Sequence, residues 1–133
     1  MFRSTRTIPV AIILTLPVIF FWRTVFLGEA ALPSNGTWDA VAIFYPIKML
    51  VAEQIRHGIM PLWNPYIFGG MPLLADVISS PFYLLDVPFY LFPNPLGYSW
   101  LWIVYLWAAG LFAYLFLREL SNGTVGPLIG ATV

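Results

Sequence analysis

Two stretches of the chain are apolar for long enough to cross a bilayer, and shorter runs of mixed character lie between them. Ile8 to Leu27 is twenty residues with Arg23 as its one charge, and Leu96 to Leu117 carries none. At about 1.5 Å of rise per residue, either covers a hydrocarbon layer about 30 Å thick. Arg23 sits within one turn of its segment's end, where its stem can lie in the apolar layer and its head reach water. Tyr98, Trp100, Trp102, Tyr105 and Trp107 gather toward one end of the second stretch, as an interfacial aromatic belt does. A third apolar run, from Pro127 to Val133, reads as the start of a further span. The expected fold is an all-α membrane protein in which transmembrane helices at about 8–27 and 96–117 flank a long loop, and the chain is expected to be the N-terminal piece of a longer multi-pass protein.

Inside the loop, Pro33-Ser34-Asn35-Gly36-Thr37 is a turn cluster and Trp38 to Gly58 reads as one or two helices broken at Pro46. With Pro46 as a first helical position, Ile47, Leu50, Val51 and Ile55 share a face, and Gly58 supplies the stop. Lys48, Glu53, Arg56 and His57 fall mostly elsewhere, as solvated charges would. A short amphipathic helix over about 46–57, lying on the membrane surface, is the expectation. Pro81 to Pro93 is apolar but too short to cross, and Asp86 and Pro88 interrupt it. It reads as an interfacial or re-entrant piece. Asp86 is costly at membrane depth unless paired, so it lies either at the interface or buried against further spans.

Between these pieces stands PLWNPYIFGGMPLLAD, Pro61 to Asp76. Three prolines fix φ, Gly69-Gly70 permits positive φ, and the aromatics supply apolar area, so the block specifies an ordered backbone path. Disordered linkers and spanning helices have neither composition.

Composition agrees with a membrane protein: 60% of the 133 residues are hydrophobic, 18% aromatic and only 9% charged. The net charge is zero and the basic residues are scattered, which argues against nucleic-acid binding. There is no cysteine, hence no disulfide, thiolate metal site or cysteine nucleophile. Arg3 and Arg6 precede the first span and Arg118 follows the second, so both termini are expected in the cytoplasm and the loop 28–95 outside it. A rival reading makes the first segment a cleaved signal peptide, with Gly28-Glu29-Ala30 as the cleavage site; the apolar run is longer than such peptides use.

Few side chains can carry chemistry. Asp39, at the start of a helix just outside a span, is either a carboxylate satisfied by free N–H groups or a general base or metal ligand at the membrane face. Asp76 reads as an Asx-turn or cap before Val77 to Ser80. His57, the single histidine, is better placed as an i,i+4 partner of Glu53 than as a catalytic base. Trp63, Tyr66 and Phe68 are interface anchors by default, with carbohydrate stacking as the sharper alternative. No glycine-rich phosphate loop or nucleophile elbow occurs. The sequons at Asn35 and Asn122 are uninformative.

The run GIMPLWNPYIFGGMPLLAD, with Asp39 and Tyr45-Pro46 before it and Pro81-Phe82-Tyr83 after it, resembles the N-terminal region of bacterial YfhO-like membrane proteins, which look like GT-C-type integral-membrane glycosyltransferases. The likeness covers roughly Asp39 to Leu120 and departs from the family pattern at Leu84, where a proline is common. It implies a bacterial inner-membrane protein with a first extracytoplasmic loop whose acid activates a sugar acceptor, and a polyprenyl-phosphate sugar as donor. By that resemblance Asp39 is the candidate catalytic residue, and Asp76, Trp63, Asn64 and Tyr66 are the candidate substrate-binding residues. No set of metal ligands is evident, though Asp39 is also suited to hold a divalent ion. The competing expectation is a non-enzymatic transporter subunit or assembly factor whose ordered loop binds a partner or lipid.

Overall fold

In a computed structural model the described residues are 7–30, 39–120 and 125–132. The turn cluster at 33–37, Arg3 and Arg6, on which the expected orientation rests, and both sequons lie outside them. The chain divides into two compact units, residues 1–28 with 102–133, and residues 29–101. Most of the described residues are helical, and strand is confined to one short hairpin.

The first unit contains α1 (Thr7–Phe20), α2 (Trp22–Leu27), the body of α5 (Pro95–Leu120) and α6 (Val125–Thr132). The apolar run expected as one span over 8–27 is found in two helical pieces. Pro17 has no N–H to give the carbonyl of Ile13, and four residues later Phe21 leaves helical geometry at φ −96°, ψ 31°. Hydrogen bonds still bridge the joint, Phe21 N–H to Pro17 O at 2.9 Å and Val25 N–H to Phe21 O at 3.1 Å. The fourteen residues of α1 span about 21 Å, short of a hydrocarbon layer. With twenty-six residues, about 39 Å, α5 is the helix among the described residues that is long and apolar enough to cross a membrane. It includes the whole of the expected 96–117 span. The eight residues of α6 are too few to cross.

Within this unit α1 lies on α5 because a glycine lets it. A Cβ at Gly110 would stand 2.9 Å from Cγ2 of Ile13, and the indole N–H of Trp107 donates to the carbonyl of Leu14 at 2.8 Å. Trp107, expected in an interfacial belt, is thus used as an interhelical clip.

The second unit holds α3 (Tyr45–Arg56), β1 (Trp63–Asn64), β2 (Met71–Pro72), α4 (Val87–Leu91) and the first turns of α5. Pro46 does not break the helix. It lacks the N–H that an α-helical turn needs, and the chain before it winds wider, as a π-helical turn over Ala40–Phe44 in which the N–H of Tyr45 reaches the carbonyl of Ala40. At the other end the expected stop is a full Schellman motif: Gly58 takes φ 70°, its N–H meets Ile55 O at 2.9 Å, and Ile59 N–H meets Gln54 O at 2.8 Å. Asn94 caps α5, its Oδ1 accepting the N–H of Gly97 at 2.7 Å, with Pro95 at the first helical position.

The core of this unit is aromatic. Tyr45 of α3, Phe89 of α4 and Tyr98 of α5 meet edge to face with centroids 6.5, 5.3 and 5.9 Å apart, over Val51, Ala52 and Leu73 in the buried core. Tyr98, another residue of the expected belt, is buried here.

Candidate functional site

The Pro61–Asp76 block is a hairpin. Trp63 pairs with Pro72 and Asn64 with Met71, antiparallel, and Leu73 N–H extends the pairing to Leu62 O at 2.8 Å. Asn64 is 2% exposed, and its Oδ1 accepts the N–H of Tyr66 at 2.9 Å, closing an Asx-turn at the start of the connection. The indole of Trp63 lies over Gly70, where an added Cβ would be 2.6 Å from it. Gln54 of α3 donates to the carbonyl of Trp63 at 3.2 Å and ties the hairpin to the helix. Tyr66 is by contrast 82% exposed at the tip.

Asp76 makes the Asx-turn expected of it, accepting Ile78 N–H on Oδ1 at 3.1 Å, while its carbonyl accepts Ser79 N–H at 3.2 Å. The turn it builds carries Ser79 and Ser80 inward, and the Ser79 hydroxyl bonds back to the carbonyl of Asp76 at 2.9 Å. His57 Nδ1 lies 2.8 Å from the carbonyl of Glu53, so its i,i+4 partner is backbone and not the carboxylate.

What the inward turn meets is a buried lysine. Lys48 is 8% exposed and Asp86 0%, and they form an ion pair. The expectation that Lys48 is a solvated helix charge is therefore wrong. The buried face of α3 is formed by Ile47, Lys48, Val51 and Ala52, a stripe rotated by one position from an apolar reading of the sequence. The ammonium has three N–H donors and three acceptors: the Asp86 carboxylate, the Ser79 carbonyl at 3.2 Å and the Ser80 hydroxyl at 3.0 Å. Asp86 ends a 3₁₀ turn (Leu84–Asp86) at the N-cap position of α4, yet caps nothing and faces the lysine. One helical turn on, Tyr90 donates to the same carboxylate oxygen at 3.3 Å. Burial, then the charge of Asp86, then that hydrogen bond push the Tyr90 phenol above its ordinary value.

Sequence reasoning left Asp86 between an interfacial and a buried place; it is buried and paired inside this unit. The signal that would have found the pair was present: a lone lysine at a position adjoining an apolar face, and a lone aspartate inside an apolar run, are each costly and together compensate. With every donor engaged, Lys48 is neither a nucleophile nor a ready anion clamp. The cluster instead locks α3, the Ser79-Ser80 turn and α4 together.

Asp39 lies at the head of the same helical stretch, exposed, at an N-cap position where its carboxylate makes no capping hydrogen bond. Among the described residues no three of His, Asp and Glu converge as metal ligands. In the first unit a cleft of about 560 Å³, lined by Ile13, Pro17, Phe20, Leu106, Gly110 and Thr132 among others, is apolar. The hydroxyl of Thr132 is already engaged with Leu128 O and Ile129 O, both at 3.1 Å, so that side chain brings no free polar handle to the cleft. Comparison of the chain with protein-family models, curated proteins and solved structures finds no match.

Proposed function

We infer that the chain is part of a multi-pass glycosyltransferase-like protein of a bacterial inner membrane, with the loop 28–95 outside the cytoplasm, that moves a sugar from a polyprenyl-phosphate donor to a cell-envelope acceptor. One observation carries most weight beside the likeness of the hairpin block to YfhO-like proteins. Asp39 offers an exposed carboxylate, uncommitted to capping, on a helix whose buried face is held by the Lys48–Asp86 pair.

In such a transfer Asp39 accepts the proton of the acceptor hydroxyl. The freed oxygen attacks the anomeric carbon, the bond from that carbon to the phosphate oxygen breaks, and the phosphate leaves with the electron pair, inverting the carbon. The leaving phosphate needs positive charge. Lys48 is paired, and Arg56 is seventeen residues of helix away from Asp39, about 25 Å. Neither cation of this helix meets that need beside Asp39, which leaves it to a divalent ion or to groups outside the described residues. Trp63 and Asn64 shape the hairpin, and Asp76 shapes the turn after it, so their part in substrate binding is to form the wall of the site.

Sugar transfer by membranes containing the full-length protein is expected to fall at least about a hundredfold in Asp39→Asn, the scale of a lost general base, with protein level unchanged. Equal activity removes Asp39 from the chemistry. It would favour the second reading, a non-enzymatic transporter subunit or assembly factor, which draws on the exposed apolar tip of the hairpin.

A further inference from the structure

The tip of the hairpin presents its aromatic side chains to the outside by construction. Tyr66 is 82% and Phe68 93% exposed, whereas the residues at the base of the hairpin are engaged: Asn64 is buried, Trp63 covers Gly70, and Leu62 pairs with Leu73. Phe68 takes φ +54°, a conformation that favours glycine, and the N–H of Gly70 closes the turn on Ile67 O at 2.8 Å. A phenylalanine held outward in that conformation, in a connection already pinned by the Asn64 Asx-turn, is not a side chain waiting to fold back into its own core. No charged residue occurs from Gly58 to Ala75. At the base of the hairpin the half-exposed Ile59, Met60, Leu62 and Trp63 add further uncharged apolar surface.

We propose that this tip is a membrane-insertion element: Tyr66 and Phe68 enter the headgroup and upper acyl region of the bilayer and hold the second unit against the lipid surface. Two observations select lipid over a protein or a glycan as the occupant. The second unit is continuous with a membrane-length helix, because Pro95–Leu101 pack within it and the same helix runs on as the apolar body of α5. A lipid interface is therefore within the covalent reach of this unit in every copy of the protein. The tip also pairs an amphipathic tyrosine with a purely apolar ring and has no charge, the side-chain chemistry of an interfacial anchor, while it lacks the carboxylates and amides with which a glycan site fixes hydroxyl groups. The proposal rests on α5 spanning a bilayer, but not on any enzymatic activity.

The chain has no cysteine, so single-cysteine variants can be labelled without background. Tyr66→Cys, Phe68→Cys, Glu53→Cys on the exposed side of α3 and Phe112→Cys on the exposed side of α5 are each labelled with bimane in the full chain and reconstituted into phosphatidylcholine vesicles. Far-UV circular dichroism of each labelled variant establishes that its helices are intact. Quenching by iodide in water is then compared with quenching by brominated phosphatidylcholines. Labels at 66 and 68 are expected to be quenched by shallow-brominated lipid and several-fold less by iodide than the label at 53, with the label at 112 quenched by deep-brominated lipid. Iodide quenching at 66 and 68 equal to that at 53, with 112 still in lipid, overturns the insertion alone. Protection of 66 and 68 from both quenchers overturns it in favour of a protein contact. Iodide quenching at 112 removes the membrane span on which the proposal stands.

Discussion

Tyr90 keeps its proton for reasons that all act in one direction. Desolvation is the largest, followed by the nearby negative charge of Asp86 and by the hydrogen bond that the neutral phenol donates to it. A phenol raised in the folded protein binds its proton more tightly than in the unfolded chain. The stability this contributes is whole below about pH 10 and is lost as pH rises beyond it. Tyr45, raised by burial, adds to the same loss. Denaturant unfolding in detergent, followed from about pH 8 to about pH 12, is expected to show stability falling above about pH 10, and falling less steeply in Tyr90→Phe. Parallel curves for the two proteins would show that the Tyr90 phenol is not raised in the folded protein. Asp39, Asp76 and Asp86 illustrate why a residue type does not announce its role. One stands exposed without a cap, one folds a turn through its own neighbours, and one neutralises a lysine 38 residues away. Only the second is a local interaction, and only it could be read with its partner from the sequence.

The hairpin is legible as an ordered path because proline fixes φ and glycine admits positive φ wherever they occur. Its pairing is not, since two-residue strands bear no alternation from which to set a register. Gly70 shows what the pairing demands. At φ +119° and with the Trp63 indole over it, alanine there is both strained and in collision, whereas Gly69 at φ +74° has open space around its Cα. Gly70→Ala is expected to cost about 1–3 kcal/mol and Gly69→Ala about 1 kcal/mol. Hydrogen exchange at the N–H of Leu73, bonded to Leu62 O across the hairpin, reads that difference directly. Equal acceleration in the two variants would mean that the Trp63 contact does not hold the hairpin. For α3 the Schellman stop at Gly58 follows from sequence, and the π-helical entry does not. Proline excludes one hydrogen bond, but whether the chain answers by breaking or by winding wider depends on what the flanking turns pack against.

The second unit as a whole is organised around a charge pair in an apolar setting. Removing one member strands the other away from water, which costs about 3–5 kcal/mol, whereas replacing both with apolar residues of similar volume is neutral or stabilising. Hydrogen exchange of the α3 and α4 amides in the full chain is therefore expected to accelerate strongly in Asp86→Ala and to return to parent rates or slower in Lys48→Met with Asp86→Leu. Failure of the double variant to recover would assign the cluster a role beyond holding these elements together. In the first unit, small residues and one indole hydrogen bond set the contact between α1 and α5.

Periodicity and composition were enough for α3 and its stop at Gly58, for α5 at membrane length, and for the order of the loop between the two apolar stretches, because each depends on hydropathy or backbone freedom within a few neighbouring residues. Tertiary structure alone decided that the Trp107 indole is spent on the carbonyl of Leu14, that Tyr98 is buried, and that Lys48 faces inward. Those outcomes depend on partners far along the chain. A lysine is assigned to solvent until something across the fold supplies its counter-charge, and here the carboxylate of Asp86, the Ser79 carbonyl and the Ser80 hydroxyl converge on one ammonium only after α3, the turn built by Asp76 and α4 have come together.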